Sequence, residues 1–272
     1  RRRVELPGHG PRGLAMAGGT LYAAEYFSDS LAAVELSGAA TNRPRSVLLG
    51  PRLTPTEVRR GEMLFHDANL CFQRWQSCSS CHPDARVDGL NWDLLNDGLG
   101  NPKNTKSMLL THATPPAMSL GVRETAETAV RAGLNHIQFV VRPEADALAI
   151  DAYLKSLQPI PSPHRGTGHV ADRIQHGERV FGQAGCRECH PPPLYTSLRA
   201  YDVGTGRGRE AGAASDTPGL AELWRTAPYL HDGRATDLRE LFQSCNTGDR
   251  HGKTSALSAA ELDDLVAFLL SL

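Results

Sequence analysis

Apolar positions change their period along the chain. Between residues 11 and 36 they fall in three short runs, Pro11-Arg12-Gly13-Leu14-Ala15-Met16, Thr20-Leu21-Tyr22-Ala23-Ala24-Glu25-Tyr26 and Ser30-Leu31-Ala32-Ala33-Val34-Glu35-Leu36. Gly-Gly and Ser-Asp turns part them, which predicts short strands. The runs have the make-up of one β-propeller blade, and a plain β-hairpin extension fits them equally. A single blade cannot bury its own faces, so either more repeats precede it or it packs on the region that follows. Arg43-Pro44-Arg45 through Pro51-Arg52 reads as a linker, and Thr54-Pro55-Thr56-Glu57 supplies the N-cap, proline and acidic first turn of a helix. Beyond it the spacing turns helical, with amphipathic segments at 147–157 and 261–272.

That second region repeats itself. Arg60-Gly61-Glu62-Met63-Leu64-Phe65 matches His176-Gly177-Glu178-Arg179-Val180-Phe181. Farther on, Thr114-Pro115-Pro116-Ala117-Met118-Ser119-Leu120-Gly121 aligns without a gap on Thr226-Ala227-Pro228-Tyr229-Leu230-His231-Asp232-Gly233. Each copy closes on one of the amphipathic segments, and Pro159-Ile160-Pro161-Ser162-Pro163 joins the copies.

Between the matched segments stand Cys78-Ser79-Ser80-Cys81-His82 and Cys186-Arg187-Glu188-Cys189-His190. Two thiols three positions apart reach the two vinyl groups of one haem, and the adjacent imidazole swings beneath the iron as its axial ligand. A zinc site would draw four ligands together and would leave the histidine after both pairs unexplained. The expectation is two covalently bound haem c groups, held by Cys78, Cys81 and His82 and by Cys186, Cys189 and His190. The fold expected is mainly α: two cytochrome c-like haem domains in tandem, 51–160 and 161–272, behind a short β-rich extension, 1–50.

Composition narrows the setting. A formal charge of −1 gives no pull toward nucleic acid or anionic membrane, and no stretch is long and apolar enough to span a bilayer. Haem attachment to CxxCH takes place outside the cytoplasm, so a periplasmic or other extracytoplasmic location is expected. With no apolar leader region at the N-terminus, the chain reads as mature or as a fragment. Cys71 and Cys245 remain as spare thiols, and an oxidising compartment favours pairing them in a disulfide.

The order of first haem motif, Asn104-Thr105, second haem motif, Asp216-Thr217-Pro218-Gly219-Leu220 and Thr226-Ala227-Pro228-Tyr229-Leu230-His231-Asp232-Gly233-Arg234 resembles the bacterial di-haem cytochrome c peroxidases and their MauG-type relatives, over residues 51 to 272. The resemblance implies a peroxidase-like oxidoreductase. One haem meets hydrogen peroxide or another small oxidant, the other passes electrons, and a small redox protein serves as donor or acceptor. A homodimer is an expected assembly. It also implies a calcium ion between the domains, which would fall to Asn104, Thr226 and Pro228. Two alternatives stand beside it: a non-enzymatic electron carrier or redox sensor, and MauG-type oxidation of a side chain on a partner protein.

The departures from that family are equally specific. Its reactive N-terminal haem carries a removable distal His, a Gln and a Glu, and those places hold Asn96, Ala129 and Phe139. A tryptophan that often lies between the haems falls on Ser119. Peroxide cleavage needs an open iron position and a nearby acid/base, so substitutes are expected among His136, Glu127 and His112, with Trp92 packing between the haems. At the second haem, the position of the family's Met or Tyr sixth ligand holds Cys245. Three readings are open there: thiolate ligation by Cys245, ligation by His251, or a Cys71–Cys245 disulfide, which comes first because it uses both spare thiols. His231 is expected near the haem periphery.

Overall fold

The computed structural model describes residues 3–36, 43–93, 100 and 102–272. Strands Pro11–Ala17 (β1), Thr20–Glu25 (β2), Ser30–Glu35 (β3) and Arg45–Leu48 (β4) pair in that order as an antiparallel meander, the sheet form of a single propeller blade. One buried carboxylate staples it: Glu25 accepts from Gly8 N at 2.6 Å, Ser30 Oγ at 2.5 Å and Ser46 Oγ at 2.7 Å. The blade packs on the region that follows. The guanidinium of Arg59 lies 4.0 Å from the Tyr26 ring centre, and Phe27 meets His66 at 6.0 Å.

The helical region opens with Glu57–His66 (α1), capped where Thr56 accepts from Arg59 N. Cys78–Cys81 (α2), Ala126–His136 (α3) and Glu144–Ser156 (α4) complete the first half. The second half repeats them: His169–Gln183 (α5), Cys186–Cys189 (α6), Leu238–Glu240 (α7) running into a π-helical turn at Leu241–Cys245, and Ala259–Ser271 (α8). Two-residue ladders recur as well, Asn91–Trp92 (β5) on Lys103–Asn104 (β6) and Ala200–Tyr201 (β7) on Ser215–Asp216 (β8).

The glycines in the repeated sequence are explained by the helix crossings. A Cβ on Gly61 would stand 1.8 Å from the Ala149 carbonyl oxygen, and one on Gly177 would stand 1.9 Å from that of Asp264. Only glycine lets α1 seat on α4, and α5 on α8, with backbones in contact. Around each crossing lies a separate apolar cluster. Phe65, Val130, Leu134, Ile150 and Leu154 form one, and Val180, Phe181, Leu238, Leu265 and Phe268 the other. Each such side chain stabilises the fold by about 1.5–3 kcal/mol when fully buried.

The architecture is mixed rather than mainly α, with 39% helix and 14% strand among the described residues. The blade supplies most of the strand. The segments between helices are short 3-10 turns and loops, as expected where a prosthetic group takes part of the core's place. Among the described residues no helix is long and apolar enough to cross a membrane.

Candidate functional site

The two CxxC turns end in histidines of nearly the same backbone shape, φ −117° and ψ 67° at His82 and φ −118° and ψ 61° at His190. Ser77 and Ser80 cap the first turn reciprocally. Each imidazole is pinned from behind, His82 Nδ1 lying 3.2 Å from the Arg86 carbonyl oxygen and His190 Nδ1 2.8 Å from that of Tyr195. A carbonyl can only accept, so each Nδ1 carries the proton and each Nε2 keeps its lone pair for a metal. Burial pushes both imidazoles below their ordinary pKa, which keeps them neutral. It pushes the thiols of Cys78 and Cys186 up to about 12 and about 11, and among the described residues no cluster of three His, Cys, Asp or Glu could hold a bare metal ion.

Both CxxCH turns line one continuous cavity of about 520 Å³. Its second end is closed by a histidine. His251 lies with its ring centre 6.5 Å from that of His190, planes inclined by 36°. Two imidazoles sharing one iron at metal–nitrogen bonds of about 2 Å have ring centres roughly 6 Å apart. The His251 ring is half-buried, its Nδ1 is enclosed with no partner, and desolvation, with His190 nearby, brings its pKa down to about 4. The loop that presents it is tied at many points. Asn246 accepts from His251 N at 2.8 Å and donates to Gly252 O and Thr254 Oγ1, while Asp249 accepts from Thr254 N and Ser255 N.

Cys245 ends the π-helical turn and packs on the second apolar cluster, outside the residues lining the cavity. Cys71 is buried in the first half, and all six cysteines are free. The expected Cys71–Cys245 disulfide is therefore not made: the count of spare thiols carried no information about their separation.

Helix α3 contributes Ala129, Val130, Gly133 and Leu134 to the lining of the same cavity, and Ile137 and Gln138 follow them there. Phe139, at the family's Glu position, turns outward at φ 52° and is 60% exposed. Its neighbour Gln138, only 4% exposed, lines the cavity, and its Oε1 has no hydrogen-bond partner. Sequence reasoning missed this residue.

The expected substitutes are mostly elsewhere. His136 is exposed in the last turn of α3 and lies outside the cavity wall. Glu127 pairs with Lys155 at 2.8 Å on the surface, and the bonds it accepts from Lys155 and from its own backbone bring its pKa down to about 2. His112 turns to Asp151 at 3.0 Å, behind the wall. Asn96 lies outside the described residues. Trp92 does line the cavity, its indole N–H donating to Asp88 at 2.8 Å.

Charged residues also line the cavity, as does Ser119, which stands at the tryptophan position. Lys106 of the first half reaches Asp216 of the second at 2.7 Å, and the other Asp216 oxygen is without a partner. Lys103 meets Glu210 at 2.7 Å, and Glu210 stands 3.4 Å from His231, which lines the cavity as expected. Of the expected calcium ligands, Asn104 and Pro228 come together, the amide donating to the Pro228 carbonyl at 2.9 Å, and the Thr226 hydroxyl donates to the Leu223 carbonyl.

No family model matches the chain. Hydrazine synthase subunit gamma of Kuenenia stuttgartiensis is 30% identical over 272 residues, covering 79% of this chain and 77% of that protein. The methylamine utilization protein MauG of Methylorubrum extorquens is 25% identical, covering 81% and 79%. Cytochrome-c peroxidase IdrP2 of a Pseudomonas species is also 25% identical, covering 80% and 81%. A solved Kuenenia stuttgartiensis hydrazine synthase structure superposes with a TM-score of 0.77 at 24% identity, over 86% of this chain and all of that one. Likeness at 30% identity over about four-fifths of the chain, joined to paired CxxCH turns on one cavity, makes the chain a member of the family of MauG, the di-haem cytochrome c peroxidases and hydrazine synthase subunit gamma.

Proposed function

We propose that this is an extracytoplasmic di-haem c-type cytochrome with one open and one closed iron. Residues 51–160 would hold the first haem through Cys78, Cys81 and His82. Residues 161–272 would hold the second through Cys186, Cys189, His190 and His251. When bound, the haems supply reversible one-electron chemistry and, at an open iron position, a site for peroxide or another small oxidant. The observation that carries the reading is an inequality between the two imidazoles: the His251 ring faces His190 at 6.5 Å, whereas the α3 residues that line the same cavity, Ala129, Val130, Gly133 and Leu134, offer no side chain that could bind iron.

The protein's own groups would divide the work. His82 and His190 would hold the irons, their rings oriented by the Nδ1 bonds to the Arg86 and Tyr195 carbonyls. The wall of Ala129, Val130 and Leu134 excludes water, and the Gln138 amide is available to hydrogen-bond a small ligand beside it. A carboxamide exchanges no proton near neutral pH, so Gln138 cannot replace the family's acid/base glutamate. The reading is therefore peroxidase-like redox chemistry with slow peroxide cleavage, drawing electrons from a small redox protein through the second haem. Calcium at Asn104, Thr226 and Pro228 would require the Asn104 amide to turn its oxygen toward Pro228.

Carbon monoxide titration of the fully reduced holoprotein tests this. One molecule bound per two haems is expected, since His251 occupies the second iron. No binding would mean that both irons are closed and would favour the electron-carrier alternative. Two bound would remove His251 as a ligand.

A further inference from the structure

The carbonyls that pin the two axial imidazoles are anchored in different ways. At His190 the acceptor belongs to Tyr195, whose ring packs against Phe181 at 6.1 Å and Phe268 at 6.2 Å, inside its own half. At His82 the acceptor belongs to Arg86, whose side chain leaves its half. Arg86 Nε and Nη2 donate to the two oxygens of Glu222 at 2.9 and 2.8 Å, and its guanidinium also donates to the Asp84 and Gln158 carbonyls. Glu222 further accepts from Ile160 N at 2.7 Å and pairs with Arg225 at 3.0 Å. One carboxylate, 1% exposed, thus joins the segment after the first CxxCH, the proline-rich linker and the second half.

The repeat shows that the fold does not require this carboxylate. Glu222 stands four residues before Thr226, at φ 58°, and Leu110 stands four residues before the aligned Thr114, at φ 59°. The left-handed backbone belongs to both halves, yet only the second places a glutamate on it. Burying that charge is costly unless it is fully paired, and here every partner is in place.

We propose that Glu222 is a positioning residue for the first haem, acting through Arg86 to hold the carbonyl that takes the His82 Nδ1 proton. The second half and the linker thereby set the basicity of the first haem's axial imidazole. A firmer Nδ1–H···O bond makes Nε2 a stronger donor to iron and favours the oxidised state. This rests on the reading of His82 as axial ligand to an otherwise open iron.

The test compares wild-type holoprotein with Glu222→Gln and Glu222→Asp, reading the iron–histidine stretching band of the reduced protein by resonance Raman and both haem potentials by spectroelectrochemical titration. Glu222→Gln is expected to lower the first haem's iron–histidine frequency and raise its potential while the second haem's potential stays put. Glu222→Asp should recover part of both shifts. The band decides between positioning and simple charge removal, because losing a negative charge raises a potential without weakening the iron–imidazole bond. If Glu222→Gln does not accumulate, Arg86→Lys, which keeps the charge and loses the fork, should shift band and potential in the same directions. A wild-type band with an unmoved first potential, or equal shifts at both haems, would overturn the proposal. Absence of any first-haem band in wild type would instead refute the open iron, and the separate potentials would still judge the role of Glu222.

Discussion

Gly61→Ala and Gly177→Ala form a matched pair of perturbations. The new methyl would lie 1.8 Å from the Ala149 carbonyl oxygen in one case and 1.9 Å from that of Asp264 in the other, where real Cβ atoms essentially never come within 3.0 Å. The first helix pair must therefore part by at least about 1.2 Å, the difference between 3.0 and 1.8 Å. Overpacking of this kind costs about 1–3 kcal/mol, and contact with backbone, which cannot rotate away, puts the cost near the upper value. At about 2–4 °C per kcal/mol for a chain of this size, each variant should melt roughly 6–12 °C lower. The damage should also be local. Phe65 and Phe181 both line the cavity, one beside each crossing. Gly61→Ala should disturb the first haem's absorption and Gly177→Ala the second's. Thermal melts followed at the Soret band and in the far ultraviolet check both points. Melting points within 1 °C of wild type, or equal disturbance of both haems by either variant, would refute the reasoning.

Gln138→Glu should return a proton-transferring group to the cavity wall and raise peroxide turnover by at least about tenfold, toward the 10²–10⁴ that a positioned acid/base supplies; an unchanged rate in stopped-flow assays would remove Gln138 from that wall. Glu127→Gln should leave turnover unchanged and cost stability only where Glu127 is charged. Its folded pKa of about 2 lies below the unfolded value near 4.5, so its contribution is complete above about pH 4.5 and is lost as pH falls through about 2. Undiscounted, the shift would be worth about 3 kcal/mol, but the pair is substantially exposed and under about 1 kcal/mol is expected, measured by denaturant unfolding from pH 2 to 7. Thiol titration of the denatured holoprotein should find two free thiols, Cys71 and Cys245, with the other four in thioether bonds; none would mean a disulfide.

What the sequence revealed and what it concealed divide along physical lines. Local chemistry was readable: the CxxCH spacing, the Thr56 cap and the duplicated Gly61 and Gly177 each depend on residues within a few positions. Helical counting failed where the helix stops. Helix α3 ends at His136, leaving it on the surface, and the chain reverses at Phe139 with φ 52°. Gln138 consequently faces inward. His251 is legible as a candidate ligand, but nothing local shows that its loop returns to His190. Arg86 and Glu222 are 136 residues apart, and their pairing leaves no periodic trace. The blade was visible as strands, whereas its seat against Arg59 and His66 depends on side chains from another element.

The two CxxCH turns share the same backbone shape and imidazole anchoring, whereas His190 alone has a second imidazole ring beside it among the described residues, and that inequality is the basis of the proposed chemistry. Electron paramagnetic resonance of the ferric holoprotein, wild type beside His251→Ala, examines it without any assumption about substrate. One high-spin and one low-spin signal of equal weight are predicted for wild type, with the low-spin signal lost in His251→Ala. Two low-spin signals in wild type, or a low-spin signal that survives in His251→Ala, would contradict it.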